Sequence, residues 1–204
     1  MSGSGIFVFV DHNNGTVAKT AAELLTLARS LGEPHAIIAG SAGDLESAKS
    51  TLSDFGAKSI TLLESSEINS HPSSAIARAL ADLASTKNPR AILLPSTARG
   101  KEIAGRLAVR LEAGIITDAI ALSSDLVATQ SVFGGSTVVH SQVTKGCAIV
   151  TIRPNSIEAA PAPASADINS IRVSASISAK TIEGRVGFAK MAASVLRCLL
   201  FINI

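Results

Sequence analysis

The sequence predicts a three-layer α/β protein whose central sheet is mostly parallel, doubly wound and extended by antiparallel strands. Two patterns predict this fold. From Ile6 to Leu111, short apolar β-rich runs alternate with segments of helical period, which is typical of βαβ units around a parallel sheet. After Gly114 the helical periods stop, and β-rich runs follow one another with turn sequences between them, which favours antiparallel hairpins.

The first half of the chain contains four predicted strands and four predicted helices. The strands are the apolar runs Ile6–Val10, His35–Ala39, Ser59–Leu63 and Ala91–Leu94. Each helix carries one apolar stripe, and the stripes are Ala21, Leu24, Leu25, Ala28 and Leu31; Leu45, Ala48, Leu52 and Phe55; Ile76, Ala79, Leu80 and Leu83; and Ile103, Leu107 and Leu111.

Glycine, serine and proline residues predict where three of these helices begin or end. We expect Gly32 to end the first helix in a left-handed conformation and Gly56 to end the second. A cap at Ser70, just ahead of Pro72, is expected to begin the third.

The second half contains further β-rich runs. Four of them, separated by Ser-Ser-Asp, Phe-Gly-Gly and Thr-Lys-Gly turns, are Ile115–Leu122, Leu126–Ser131, Ser136–Val143 and Cys147–Ile152. An extended connector is expected over residues 155–167 because its prolines disfavour helix and sheet. Two more runs, Ile168–Ile177 and Thr181–Val186, are expected to return to the sheet.

Length and composition indicate a single globular domain, which we place at residues 1–190. Of the 204 residues, 47% are hydrophobic and 17% charged, and a chain of this length folds without a metal or disulfide. Cys147 and Cys198 are too far apart for a zinc or dithiol motif, which favours a reducing compartment. Residues 191–204 are mostly apolar with no polar face, so we expect an aberrant or truncated tail there.

Charge and hydropathy exclude several classes of partner. The net charge is only +2, the basic residues are scattered, and the chain has no Trp and no Tyr, so we expect no nucleic-acid binding. The first apolar run is too short for a secretory signal, and no run is long enough to span a bilayer. We therefore expect a cytoplasmic protein without membrane insertion.

One turn, with the sequence PSTARGK, follows a predicted parallel strand and begins a predicted helix. Ligands bind at such turns in α/β proteins, and free N–H groups at the start of a helix attract anions. A phosphate or nucleotide is one interpretation; the other, which we favour, is that Ser96 or Thr97 caps the helix while Arg99 and Lys101 are solvated. The residues of this anion or interface turn are Ser96, Thr97, Arg99, Gly100 and Lys101.

No catalytic or metal-binding residues are predicted. The four histidines are dispersed and have no partner at ligand spacing, so we expect them to be structural or exposed. No G-x-S-x-G nucleophile elbow occurs among the many serines. The histidines are His12, His35, His71 and His140.

Several strings, in this order along the chain, resemble the electron-transfer flavoprotein alpha subunit family. A strand, an acid and a polar turn open the sequence, and later strands are followed by small hydroxyl residues, a Gly-Lys-acid helix start, a Thr-Asp pair and a closing Arg-Pro. The strings are Ile6–Gly15, Ala22–Leu25, His35–Gly40, Ala91–Thr97, Gly100–Glu102, Gly114–Asp118 and Val150–Pro154. One departure is Gln130–Gly134, where the family often has Arg-Pro before an aromatic turn.

The resemblance implies a Rossmann-like fold, similar to that of adenine-nucleotide hydrolases, and a role in electron transfer. In the family, FAD lies mainly in a second, carboxy-terminal domain whose Gly-Gly-Arg-Gly and Gln-His strings are not found in this chain. The chain is therefore expected to bind no FAD alone and to have no catalytic residues of its own. Its implied role is scaffold and interface with a beta subunit, in a carrier between flavin dehydrogenases of fatty acid β-oxidation, notably of acyl-CoA type, and a membrane quinone reductase.

Two alternatives remain open from the sequence. The first is a nucleotide-binding module of the universal-stress type that uses the PSTARGK turn for AMP or ATP. The second is a pure interaction protein, or a non-functional truncated fragment.

Overall fold

The computed structural model describes residues 4–64 and 72–172, and it confirms the predicted α/β class. Within these residues, nine strands form one sheet, a two-stranded ribbon follows its first strand, and four helices flank it. The strands are β1 (Gly5–Val10), β2 (His12–Asn13), β3 (Thr16–Val17), β4 (Glu33–Ala39), β5 (Ser59–Glu64), β6 (Ala91–Pro95), β7 (Ile115–Leu122), β8 (Val127–Val132), β9 (Thr137–Gln142), β10 (Ala148–Ile152) and β11 (Asp167–Arg172). The helices are α1 (Lys19–Leu31), α2 (Ala42–Asp54), α3 (Pro72–Lys87) and α4 (Ala98–Leu111).

The sheet is doubly wound around β1. Its strand order is β11-β5-β4-β1-β6-β10-β7-β8-β9, and every pair from β11 to β7 is parallel. The chain moves outward from β1 through β4 to β5 and then crosses back to β6 on the other side of β1. The strand order therefore reverses between β1 and β6, which is where open α/β sheets form a ligand crevice.

Alternating side chains of the parallel strands fill two apolar layers. On one face, residues such as Ile6, Val8 and Ile38 pack with Leu24 of α1 and Leu52 of α2. The opposite face packs against α3 and α4, through Phe7, Phe9, Ile37, Ile76, Leu80, Ile103 and Leu107. The predicted helical stripes are confirmed, because each stripe supplies buried residues to one of these layers.

The antiparallel extension is confirmed, but one predicted hairpin is wrong. β7 pairs with β8 and β8 with β9, both antiparallel. The Thr-Lys-Gly turn at Thr144 does not make a hairpin from β9 to β10, since β10 lies between β6 and β7 and is parallel to both. All five residues of β10 are buried. A strand that is buried along its whole length and mostly apolar is stable inside the sheet, whereas a turn sequence does not determine which neighbour the next strand takes.

The predicted connector runs in extended form over the helices α1 and α2. The amides of Ala162 and Ala164 donate to the carbonyl oxygens of Asp54 and Ser53, at 2.8 and 2.9 Å. β11 then pairs with β5 along six residues, so the predicted return of the chain to the sheet is confirmed for the first run as far as Arg172, and residues 173–177 lie outside the described residues. The second run, Thr181–Val186, and the predicted tail at residues 191–204 lie outside the described residues.

Helix ends depart from prediction at one glycine. Gly32 has φ 165°, which is extended backbone, so the predicted left-handed conformation is wrong. A Cβ at this position would instead collide with the carbonyl oxygen of Ser4, so close packing is what requires glycine. α3 begins at Pro72 as predicted, while its predicted cap, Ser70, lies outside the described residues. α2 begins with a capping box made by Ser41 and Asp44, which was not predicted.

Candidate functional site

The PSTARGK turn lies at the carboxyl end of β6, beside the point where the strand order reverses. Thr97 is the N-cap of α4, and its hydroxyl accepts a hydrogen bond of 3.1 Å from the amide of Gly100. A Cβ at Gly100 would collide with the carbonyl oxygen of Pro95. Thr97 and Gly100 therefore act in the packing of helix against strand, as the capping interpretation predicts.

Arg99 bridges the crevice between β1 and β6. Its Nη1 donates to Oδ1 of Asp11, the residue that follows β1, at 2.9 Å. The guanidinium carbon lies 6.0 Å from the ring centroid of Phe9, and Nε is buried without a hydrogen-bond partner among the described residues. The position where related folds bind a ligand is thus crossed by a link between α4 and β1.

Lys101 and Ser96 converge on a second carboxylate, that of Asp118 in β7. Lys101 Nζ lies 2.7 Å from Oδ2, and Ser96 Oγ donates to Oδ1 at 2.6 Å. Thr151 of β10 completes the group, since its hydroxyl lies 2.9 Å from Ser96 Oγ and accepts from the amide of Asp118 at 3.1 Å. We call these four residues, Ser96, Lys101, Asp118 and Thr151, the Asp118 cluster.

The backbone at Asp118 is unusual for a residue within a strand. Its φ is 59°, and the pairing of β7 with both neighbours shifts register beside it. Burial raises the pKa of Asp118, but the bonds from Lys101 and Ser96 and the charges of Lys101 and Arg153 outweigh it and hold this pKa below its ordinary value. The cluster therefore fixes a bulge at the point where the parallel sheet gives way to the antiparallel end.

The expectation that the two basic residues of the turn are solvated is only partly correct. Both side chains are partly exposed, at 36% for Arg99 and 40% for Lys101, but each forms an ion pair. Their partners, Asp11 and Asp118, were not predicted as site residues. Sequence patterns indicate only the first of these acids, because Asp11 directly follows a predicted strand at the edge where the turn also lies, whereas Asp118 lies within the predicted strand Ile115–Leu122.

These contacts bear on whether the crevice could hold a nucleotide or FAD. The charges of Arg99 and Lys101 are balanced by those of Asp11 and Asp118. An incoming phosphate would meet two carboxylates and would have to displace the Arg99 bridge, so these residues do not fit a dinucleotide. Binding of a smaller anion by the turn stays a prediction.

Two of the described histidines, His12 and His35, and the described cysteine, Cys147, are in structural positions. His12 has both ring nitrogens engaged, with Nε2 2.9 Å from the carbonyl oxygen of Ala39 and Nδ1 accepting from the amide of Gly15. His35 Nδ1 lies 2.7 Å from Ser59 Oγ, and burial is the main cause that lowers the pKa of His35. Burial raises the pKa of the Cys147 thiol to about 12. Within residues 4–64 and 72–172, no group of three potential metal ligands occurs.

His140 lies on the exposed strand β9, where its Nδ1 is 3.2 Å from Thr129 Oγ1. His71 and Cys198 lie outside the described residues. None of the described helices is long and apolar enough to cross a membrane.

The second candidate site is the hairpin of β8 and β9, which was predicted only as an antiparallel edge of the sheet. Phe133, in the 3-10 turn that joins the strands, is 82% exposed, and Val138 and Val139 are 57% and 38% exposed. Val138 and Val139 are successive residues of one strand and point to opposite faces of the sheet, so the hairpin exposes apolar surface on both faces, and exposed apolar surface marks contact sites in proteins. The departure Gln130–Gly134, noted in the sequence, falls on this hairpin.

Polar side chains hold β8 against the body of the sheet close to the turn of the hairpin. Gln130 donates from Nε2 to the carbonyl oxygen of Thr117 at 2.8 Å, and Arg153 donates from Nη2 to that of Ser131 at 2.9 Å. Gln130 Oε1 in turn accepts from Ser141 Oγ at 2.9 Å. The inner strand of the hairpin is therefore fixed to the sheet, while the tip and the outer strand remain exposed.

Comparison with known proteins gives one family. Residues 6–176 match the family model described as "Electron transfer flavoprotein domain". The chain is 37% identical over 168 residues to the "Electron transfer flavoprotein subunit alpha" of Mycobacterium leprae (strain TN), which covers 82% of this chain and 53% of that protein.

Two further relatives carry the same name. That of Mycobacterium tuberculosis (strain ATCC 25618 / H37Rv) is 35% identical over 170 residues, covering 83% of this chain and 54% of the relative. That of Bacillus subtilis (strain 168) is 25% identical over 161 residues, covering 77% and 50%. The chain thus spans about half the length of the curated relatives it matches.

The resemblance inferred from ordered strings, the observed fold and the family match agree over the same residues. The match covers most of the chain, including the crevice, the Asp118 cluster and the exposed hairpin. The chain belongs to the electron transfer flavoprotein family.

Proposed function

We propose that this chain is the scaffold and subunit-interface part of an electron transfer flavoprotein alpha subunit, with residues 1–190 as its domain. The observation that carries the proposal is the hairpin of β8 and β9, whose tip and outer strand expose Phe133, Val138 and Val139. A beta subunit is the partner that this surface receives. The relatives are named as alpha subunits, which supports the presence of a second subunit.

The chain is an electron-carrier subunit rather than an enzyme in this proposal. FAD supplies the redox chemistry of the complete carrier, and a protein scaffold contributes position and electrostatics. The described residues do not offer FAD a site at the crevice, because the bridge from Arg99 to Asp11 crosses it. The flavin is accordingly held by polypeptide beyond this chain, in a cytoplasmic carrier between dehydrogenases of acyl-CoA type and a quinone reductase.

The test is co-expression with the beta subunit of the same organism, followed by size-exclusion chromatography with light scattering. We expect a complex with one copy of each chain. The variant Val109→Ala provides a matched control, since Val109 is 80% exposed on α4 and should leave the complex intact. Two chains that elute separately at micromolar concentration would contradict the proposal.

A second measurement separates this function from nucleotide binding. The purified chain, titrated calorimetrically with AMP, ATP and FAD in turn, should give no saturable heat with any of them. Saturation by AMP or ATP would favour the universal-stress type of module. A stoichiometric flavin spectrum in the purified chain would show that the redox group lies in these residues.

A further inference from the structure

The connector between β10 and β11 lies across α1 and α2 as a strap, which we define as residues 155–166. Three polar side chains of α1, those of Glu23, Thr26 and Arg29, form hydrogen bonds with it. Residues three positions apart are neighbours on a helix surface, so these three form one ridge. Leu24, beside this ridge, packs into the apolar layer instead. The helix therefore holds the sheet with one face and the strap with another.

Arg29 joins three segments of the chain at one point. Its Nη1 donates to the carbonyl oxygen of Phe55, at the end of α2, at 2.9 Å, and its Nη2 donates to that of Ala160 in the strap at 2.7 Å. The planar guanidinium can make both bonds at once, which a lysine cannot do in the same geometry. At Gly56, where φ is 90°, a Cβ would lie only 2.7 Å from Cδ of Arg29. The strap is thus anchored by a site that is closely fitted to this arginine.

Thr26 and Glu23 hold the strap at two further points. Thr26 Oγ1 accepts from the amide of Ala160 at 3.1 Å. Glu23, whose side chain is 3% exposed, accepts from the amide of Asn155 through Oε2 at 2.9 Å. An amide that loses its acceptor without reaching water is costly, so both bonds favour the closed position of the strap.

β11 is weakly attached to the rest of the molecule except through the strap and β5. Among the described residues it pairs with β5 alone. Its residues 167–170 are exposed, and Ile171 is the described residue of β11 that packs against an apolar layer. The amide of Asp167 donates to the carbonyl oxygen of Lys58 at 3.0 Å, directly where the strap ends. Segments with so few buried contacts open at lower free energy than a core strand.

We propose that the strap and β11 form a latch that opens as one unit, and that Glu23, Thr26 and Arg29 keep it closed while the rest of the sheet stays folded. In the closed position, β11 covers the edge of β5, whose four central residues are buried and uncharged. In the open position, β5 becomes a free apolar edge, which is a template for pairing with another chain. The latch therefore protects the chain from association through β5.

Native-state amide hydrogen exchange at increasing urea concentration tests whether the strap and β11 open together. The amides of Ala162, Ala164 and β11 should share one opening free energy and one urea dependence. Both values should be smaller than those of β1 and β4, because less surface is exposed than on global unfolding. Different urea dependences for strap and β11 would overturn the single unit. Values equal to those of β1 would also overturn it, since the latch would then open only with the whole domain.

Conservative substitutions at Thr26 test what keeps the latch closed. Thr26→Val removes the hydroxyl and should speed exchange of the strap and β11 amides by the same factor, about fivefold, which corresponds to one buried hydrogen bond. Thr26→Ser keeps the hydroxyl and should exchange as the wild type does. Ser30→Ala, a control on the same helix, removes a hydroxyl that donates to Leu27 within α1. Faster exchange in the strap without a change in β11 would contradict the proposal.

Proteolysis gives an independent readout for Arg29. An endoproteinase specific for glutamate should cleave after Glu158, an exposed residue of the strap, only when the strap leaves α1. Arg29→Met keeps a long side chain but loses both bonds, and should speed this cleavage at least about tenfold. An unchanged rate in a variant whose circular dichroism shows it to be folded would contradict closure by Arg29. Light scattering of the same variant should show more self-association than the wild type, and equal scattering would overturn the protective role of the latch.

Discussion

β9 and β10 are consecutive strands of one sheet, yet they have opposite environments. All residues of β10 are buried between β6 and β7, whereas nearly all residues of β9 are exposed. Both strands contain apolar β-branched residues, so composition alone does not separate them. In the parallel region the apolar side chains therefore stabilise the fold, whereas at the antiparallel end they remain available for contact with a partner.

The largest expected difference in stability between the two regions is that between a buried and an exposed phenylalanine. Phe9 in β1 is 1% exposed and Phe133 in the hairpin is 82% exposed. Phe9→Ala should lower the free energy of unfolding by about 3–5 kcal/mol, because it leaves a cavity in the core. Phe133→Ala should change it by less than about 0.5 kcal/mol. Urea unfolding monitored by circular dichroism measures both, and similar losses in the two variants would contradict the distinction.

The Asp118 cluster tests the junction of the two regions. Asp118→Ala removes the bonds to Ser96 and Lys101 and should cost about 1–2 kcal/mol of unfolding free energy, since the site is partly exposed. Asp118→Gly loses the same bonds but accepts φ 59° without strain, so it should be the more stable variant of the two. A more stable alanine variant would show that the backbone strain is unimportant.

Loss of the N-cap of α4, in the parallel region, is expected to have a smaller effect on the free energy of unfolding. Thr97→Ala leaves the amide of Gly100 without its acceptor and should lower the free energy of unfolding by about 1 kcal/mol. Thr97→Ser, which keeps the hydroxyl, should restore most of it. A loss of equal size in both variants would argue against a capping role.

The smallest expected effect is the pH dependence that comes from His35. Burial is the largest influence and lowers the pKa of His35; the charge of Lys87 lowers it further, while that of Glu33 opposes the shift. The unfolded chain therefore takes up a proton first, and stability should fall as pH drops from about 6.5 toward the lower folded pKa. Urea midpoints between pH 7.5 and 5.5 measure this. A His35→Gln variant should lose that part of the dependence.

The sequence predicted the parallel region more fully than the antiparallel end. Continuous apolar runs and helical stripes mark β1, β4 and their helices because burial on both faces leaves a strong pattern. The place of β10 could not be predicted, since a turn at Thr144 and Lys145 carries no information about which strands lie beside the next one. The structure provides this through pairing of residues distant in sequence, such as Ile149 with Ile92 and Ile115.

The candidate site was predicted in its turn but not in its partners. Thr97 as a cap follows from local chemistry, because a hydroxyl at the start of a helix accepts from an amide three residues on. The pairing of Arg99 with Asp11 joins residues 88 positions apart, and local patterns do not encode such contacts. The exposure of Phe133 was also missed, since an apolar residue beside two glycines gives the same pattern whether it is packed or free.

The affinity of the chain for its beta subunit, measured by isothermal titration calorimetry, tests most directly whether the hairpin serves a partner. The double variant Phe133→Ala, Val138→Ala should bind about 30-fold more weakly than the wild type while retaining its free energy of unfolding. Val109→Ala, on the exposed face of α4, should bind normally. Unchanged affinity in the hairpin variant would contradict the account, and so would a loss of stability large enough to explain the weaker binding.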